Sequence, residues 1–214
     1  MGHVIAIDGP AGAGKSTIAR LVAEKLSYTY IDTGAMYRAV ALWAQRTQAS
    51  PSDVHKLEQL AISAEIQLLF GSRVHLNGED VTDAIRTPEI SALASQVASI
   101  GAVRSAMVAK QRRIAENSNV VMEGRDIGSV VFPDARVKIF LDADPAERVR
   151  RRAGDLPDEQ PATLAAQIAE RDQRDRNRVE SPLLQSPDAT YLDSTGLTPQ
   201  EVVEAILKIV RARI

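Results

Sequence analysis

Val4-Ile5-Ala6-Ile7-Asp8-Gly9-Pro10-Ala11-Gly12-Ala13-Gly14-Lys15-Ser16-Thr17 decides how the rest of this chain is read. Residues 4–7 have the apolar run of a short buried strand, and Ile18, Leu21, Val22 and Leu26 recur at helical spacing beyond the loop. Between them, Gly9 to Ser16 fits G-x-x-x-x-G-K-[ST]. Strand, glycine-rich loop and helix N-terminus in this order make a phosphate cradle. Glycines let backbone N–H groups curl around phosphate oxygens, the lysine reaches the terminal ones, the serine hydroxyl is placed for magnesium, and the helix dipole favours the anion. Gly9, Pro10, Ala11, Gly12, Ala13, Gly14, Lys15, Ser16 and Thr17 are therefore read as a nucleotide-phosphate site, with Ser16 as the metal ligand. The dinucleotide fingerprint G-x-G-x-x-G fails, because Thr17 stands where its third glycine would be.

A chain of 214 residues can bury a real core, and the length suits one domain with insertions. With 44% apolar and 25% charged residues and no apolar run of membrane-spanning length, no membrane partner is expected. The amino terminus lacks the basic start and long apolar core of a signal peptide and cysteine is absent, so a cytoplasmic location is expected. His3, His55 and His75 lack metal-ligand spacing, which disfavours a zinc site or a histidine dyad. The net charge is −2, yet arginine outnumbers lysine 20 to 6 and concentrates between positions 104 and 178. Arginine suits forked phosphate recognition, and an aromatic content of only 4% leaves few stacking platforms for nucleic acid. The expected partners are small molecules, bound by a monomer.

Strand and helix alternate: strand 4–7, a helix from about 15, a strand at 28–31, a helix over 34–44, and later strands at 119–122 and 137–141, each followed by a helical segment. This is a parallel α/β layout. After a helix that Ser50-Pro51 would start, Ile66, Leu68 and Phe70 alternate, Gly71-Ser72 turns the chain, and Val74 and Leu76 alternate again before Asn77-Gly78, which predicts a small hairpin. The core is accordingly drawn over about 1–46, 98–147 and 179–214, an insert over 47–97, and an arginine-rich lid over 148–178 with a hinge-like break at 153–157. Asp144-Pro145-Ala146-Glu147 and Thr198-Pro199-Gln200-Glu201 both read as capped helix starts, and Val203, Ile206, Leu207 and Val210 form an apolar stripe.

Three further constellations suggest an acceptor. Projected at about 100° per residue, Arg171, Arg174, Asp175 and Arg178 share one helix face. Like charges at that density repel unless an anion sits among them, although a solvated helix laced by pairs such as Asp172 with Arg176 is the plainer alternative. Glu123-Gly124-Arg125-Asp126 ends a buried strand, at the sheet edge where ligands bind; a strand-end turn held by local bonds is the other reading. Asp32-Thr33-Gly34-Ala35-Met36-Tyr37-Arg38 follows a strand and opens a helix, pairing a hydroxyl with an arginine one turn later, while Tyr37 suits either helix packing or the same mouth.

Taken together in their order, GPAGAGKST, IDTGAMYRA, LNGEDVTDAIRT, EGRDIGSVVFPDA and ERDQRDRNR resemble the bacterial cytidylate kinases over nearly the whole chain. The resemblance implies a P-loop nucleoside monophosphate kinase fold: a parallel central sheet flanked by helices, an acceptor-binding insert with a small hairpin, and a short arginine-rich lid. It implies ATP with magnesium as donor and CMP or dCMP as acceptor. Thr33, Arg38, Arg125 and Arg178 would then gather around the acceptor phosphate, with Tyr37 beside them and Arg171 and Asp175 on the ribose. Ser95, Arg104 and Asp126 would read cytosine. Lys15, Arg125, Arg148 and Arg152 would serve catalysis, with Arg148, Arg151 and Arg152 as lid arginines of which any might point inward. Where the family usually has Asp-Gly-Arg-Asp this chain has Glu123 first, which puts a role for that acid at magnesium-bound water in question. Kinases of UMP or shikimate are the nearest alternatives; a regulatory GTPase would need an Asn-Lys-x-Asp motif that the chain lacks.

Overall fold

The computed structural model describes residues 2–155 and 159–214. Along the chain run β1 (Val4–Asp8), α1 (Lys15–Leu26), β2 (Thr29–Asp32), α2 (Thr33–Arg46), α3 (Val54–Ser63), β3 (Ile66–Leu69), β4 (Arg73–Leu76), β5 (Glu79–Asp80), α4 (Pro88–Val97) and α5 (Gly101–Ala115). There follow β6 (Val120–Gly124), β7 (Val137–Asp142), α6 (Pro145–Asp155), α7 (Pro161–Arg176), β8 (Thr190–Asp193) and α8 (Pro199–Arg213).

Five strands form one sheet in the order β2-β6-β1-β7-β8, and β1 pairs parallel with both β6 and β7. Connections leave β1 and β7 toward opposite sides, so the carboxyl end of β1, where the glycine loop begins, is the topological switch point at which such sheets bind ligands. Ile5, Ile7, Val121, Val137, Ile139 and Leu141 pack from the sheet against Ile18 and Val22 of α1 and Val202, Val203, Ile206 and Val210 of α8. The alternation along each strand places every second side chain in this layer, as the period of a strand requires. The α8 stripe is started by the expected capping box, Thr198 and Glu201 bonding reciprocally.

The chain divides into two compact units, Met1–Ile31 with Ala115–Ile214, and Asp32–Ile114. The second contains the whole 47–97 segment together with α2 and nearly all of α5. Within it α2 packs on α3, α4 and β4, and buries Met36, Val40 and Leu42. Lys110 of α5 donates from Nζ to the carbonyls of Ile62 (2.8 Å) and Ala64 (2.9 Å), closing the C-terminal end of α3.

Several elements differ from expectation. The hairpin is a three-stranded antiparallel sheet, because Asn77 and Gly78 both adopt positive φ (51° and 84°), a two-residue reversal that pairs β5 with β4. Helix α3 begins at Val54, capped by Asp53 rather than started by Ser50-Pro51. The helical segment that follows β6 is a single π-helical turn, Ile127–Val131. Residues 153–155 continue α6, and the remainder of the expected hinge, 156–157, lies outside the described residues. Among the described residues no single helix is long and apolar enough to cross a membrane.

Asp8 ends β1 and holds the turn after β6: Oδ1 accepts from the Ile127 N–H (2.8 Å) and Oδ2 from that of Gly128 (2.7 Å). Burial pushes its carboxyl up to about 6, against those two N–H groups. The native state therefore binds the proton more tightly than the unfolded chain, so the contribution of Asp8 to stability is full below about pH 4 and is lost as pH rises through about 6. Urea unfolding of wild type and Asp8→Asn at half-unit steps from pH 3.5 to 7.5 should show their difference moving against wild type across this window by on the order of 2–3 kcal/mol. A difference independent of pH would refute the assignment.

Candidate active site

The loop between β1 and α1 turns through Gly9, Gly12 and Gly14 at φ of 151°, 75° and 87°. At Gly12 a Cβ would lie 2.9 Å from the carbonyl oxygen of Arg148, so glycine is required both for the conformation and for the approach of α6. Lys15 is 5% exposed and donates from Nζ to the Pro10 carbonyl at 2.7 Å. Burial, and then the charge of Arg125, pull its ammonium down to about 7, with Glu123 and Asp175 opposing.

A loop that turns N–H groups toward an anion turns carbonyls the other way, and those need donors of their own. Arg148 supplies Nη1 to Ala11 O (3.0 Å) and Arg151 supplies Nη1 to Ala13 O (3.1 Å). Arg151 continues to Ser194, reaching its Oγ at 2.9 Å and its carbonyl at 2.8 Å. Two of the three arginines expected in a lid thus brace the loop's outer side, and Arg148 is 7% exposed. Arg152 stands half-buried on the same helix. Of the loop itself, Pro10 has no N–H, and that of Ala11 points to Asp172 Oδ1 at 3.0 Å, so neither residue offers an N–H to a phosphate.

Glu123, buried at the end of β6, accepts from the Ser16 hydroxyl and, at 3.2 Å, from that of Tyr30. Two residues on, Arg125 donates from Nε to Asp175 Oδ2 at 2.8 Å, and Arg178 donates to Asp175 Oδ1. Burial pushes the Asp175 carboxyl upward, but Arg125, Arg178 and Arg171 together hold it below the ordinary range. Asp126, 5% exposed, opens the π-type turn, its carbonyl accepting from Val130 (2.9 Å) and Val131 (3.1 Å). The expected helix face is corrected at two positions. Arg174 turns outward to pair with Glu170, and Asp172 does not pair with the exposed Arg176 but is 6% exposed and bonded to Arg148. No spacing rule pointed to Asp172, because its partners lie on other elements.

In the Asp32–Ile114 unit, Asp32 caps α2 by accepting from the Ala35 N–H (2.8 Å) and pairs with Arg38 at 3.0 Å. Gly34 leaves room for that guanidinium, since a Cβ there would stand 3.1 Å from Arg38 Nη1. The Nε of Arg38 is buried with no hydrogen-bond partner, and Thr33 is buried at the first position of the same helix, whose N-terminus favours an anion. Tyr37 presents its ring to the guanidinium of Arg104, 5.7 Å from the centroid, so its face is a platform for that arginine. Arg104 (3% exposed) and Ser95 (4%) are both buried, on α5 and α4.

The cytidylate kinase family model matches residues 5–212. The chain belongs to this family. It is 61% identical to the cytidylate kinase of Solibacter usitatus, covering 99% of this chain and 93% of that protein. It is 48% identical to the cytidylate kinase of Geobacter sulfurreducens, over 99% and 94%. It is 47% identical to the bifunctional pantoate ligase/cytidylate kinase of Prochlorococcus marinus strain MIT 9313, covering 99% of this chain but 44% of that protein. Among solved structures, an uncharacterized protein from Eubacterium ventriosum superposes with a TM-score of 0.57 at 14% identity, over 99% of both chains, which is a likeness of fold alone.

As a member of the cytidylate kinase family, the protein is a transferase, and the buried Asp175–Arg178 pair makes a sharp comparison with the exposed Arg176. Arg178→Ala should lower kinase turnover by on the order of 100-fold, while Arg176→Ala stays within about threefold. Equal losses in two variants of native circular dichroism would make the arginine face a solvated one.

Proposed function

We propose that this protein transfers the γ-phosphoryl group of ATP to the phosphate of CMP or dCMP, forming CDP or dCDP. The observation that carries this reading is the set of buried contacts beside the glycine loop, Ser16 on Glu123 and Arg125 and Arg178 on Asp175, whose charges act on Lys15. A cradle for the donor's phosphates and a cluster of guanidinium groups for the acceptor's thus occupy one charged interior. The low aromatic content and net charge of −2 support small-molecule substrates over a polynucleotide.

The chemistry follows from charge. A phosphomonoester is largely ionised at neutral pH, so its oxygen attacks without a general base. Lys15 and the loop N–H groups hold the β- and γ-phosphates, while Arg125 and Arg178 hold the acceptor phosphate in line and offset the repulsion between two anions. Thr33 and Arg38 bind the same acceptor group, and the unpartnered Nε of Arg38 supports this. Arg171 and Asp175 hold the ribose, and because Arg148 and Arg151 are engaged on the loop, Arg152 is the lid arginine left for the transferring phosphate.

Magnesium in nucleotide sites is bound by one or two protein oxygens together with phosphates and water, not by a carboxylate cage. No cluster of three metal-ligating side chains occurs among the described residues, whereas the Ser16 hydroxyl and Glu123 carboxylate stand in direct contact at the loop. This donor set fits the ion: Ser16 would ligate it and Glu123 would orient its water. Bound there, magnesium neutralises phosphate charge in the transferring group.

Cytosine presents an amino donor where uracil presents a carbonyl, so the carboxylate of Asp126 suits the former, with Ser95 and Arg104 completing the base contacts. Initial rates with Mg-ATP and each of CMP, dCMP, UMP, AMP and GMP test the proposal; AMP or GMP as best acceptor would overturn it. Asp126→Asn should lower kcat/KM for CMP and narrow the CMP-to-UMP ratio by about tenfold, equivalent to about 1.4 kcal/mol. Proportional loss on both nucleotides would move Asp126 from base reading to positioning of the arginines.

A further inference from the structure

Asp172 lies on α7 one position after Arg171 and one turn before Asp175, yet it faces the glycine loop. Its Oδ1 accepts from the Ala11 N–H at 3.0 Å, and its Oδ2 accepts from Arg148 Nη1. The same Nη1 donates to the Ala11 carbonyl at 3.0 Å, and Arg148 Nε donates to Ala143 O at 3.2 Å. Both backbone groups of Ala11 are therefore held in one closed ring with Asp172 and Arg148, and both side chains are buried, at 8% exposure each. All four partners come from different parts of the chain: the loop, the end of β7, α6 and α7.

This ring ties the helix that carries Arg171 and Asp175, with Arg178 just beyond its end, to the loop that carries Lys15. Asp175 follows Asp172 by about one helical turn, about 4.5 Å along the axis, and its carboxylate in turn holds Arg178 just past the helix end. A carboxylate bound bidentately, by a backbone N–H on one side and a guanidinium on the other, fixes rotation as well as distance. Transfer between two anions requires reacting atoms aligned within a fraction of an ångström, so the placement of one arginine helix relative to the loop sets the rate. A buried ion pair adds little net stability compared with an apolar pair of the same size.

We propose that Asp172 is a positioning residue for phosphoryl transfer: acting through Ala11 and Arg148, it fixes the spacing between the donor-phosphate loop and the acceptor-side charges of α7. The proposal rests on the assignment of those two groups of residues to donor and acceptor.

Two variants test it. Asp172→Asn keeps an oxygen for the Ala11 N–H and loses the charge facing Arg148; the double variant Asp172→Leu with Arg148→Met replaces the pair by apolar side chains of similar size. For Asp172→Asn we expect kcat to fall about 30-fold or more while both KM values and the Kd for ADP, measured by calorimetry, stay within about threefold. The double variant, which leaves the Ala11 N–H and the Ala11 and Ala143 carbonyls without their partners, should be less resistant to urea than wild type and should not regain kcat. In it, amide exchange at Ala11, followed by NMR, should accelerate at least tenfold. Asp172→Asn with kcat within threefold of wild type, or a double variant that recovers both stability and turnover, overturns the proposal. Unchanged Ala11 exchange in the double variant also overturns it, and this readout holds even if the wild type uses none of the five nucleotides, the result that would sink the functional reading instead.

Discussion

The constraint on which the site depends is the polarity of the backbone in the glycine loop. Each peptide unit that turns its N–H toward an anion sends its carbonyl outward, and here the outward side is buried under α6 rather than bathed in water. Unsatisfied carbonyls there would each cost about 1–3 kcal/mol. Arg148 and Arg151, three residues apart and so on one helix face, meet Ala11 and Ala13, two residues apart in the loop. Arginine suits the task because its rigid fork reaches several acceptors at once: Arg151 also grips Ser194 beyond β8, and Arg148 also grips Ala143 and Asp172. The loop is shaped from behind as much as by its own glycines.

From that brace the charge pattern of the interior follows. Arg148 is matched by Asp172, and Arg125 and Arg178 by Asp175. Charges so deeply placed persist when paired and hydrogen-bonded, which the carboxylates provide. Lys15, whose ammonium is drawn down by burial and by Arg125, is the member whose charged form gains most from an arriving phosphate.

The Asp32–Ile114 unit uses a different device. Its first residue both caps α2 and holds Arg38 across the N-terminus, so one carboxylate orients the helix start and the guanidinium beside it. Further along, Arg46 forks onto Glu79 with bonds of 2.7 and 2.9 Å, joining the C-terminal end of α2 to the short strand β5. Both ends of this helix are fastened by arginine–carboxylate pairs. The Arg46 pair is exposed and screened by solvent, so its value is in placing the small sheet.

Local rules made much of this legible in advance. The spacing from Gly9 to Ser16 named the strand, loop and helix, because a tight backbone turn admits few residue types. Thr198 with Glu201 named the start of α8, and the alternation from Ile66 to Leu76 named a hairpin. Asn77-Gly78 carried the signal for the third strand and was read only as an end. The projection grouped Arg171 with Asp175 but ran the helix on to Arg178, which lies beyond its end at Arg176, enrolled Arg174, which pairs with Glu170, and left Asp172 to solvent. A helical projection gives the angle between side chains and nothing about what lies opposite each one. Asp172 meets Ala11 across 161 residues of sequence, and Arg148 meets it across 137. The sequence by itself determined the phosphate loop and the kinase family, because those are written in short-range spacing. Only the tertiary structure decided that two presumed lid arginines brace the loop and that an aspartate joins them, because the burial that makes such bonds necessary arises when distant elements close over one another.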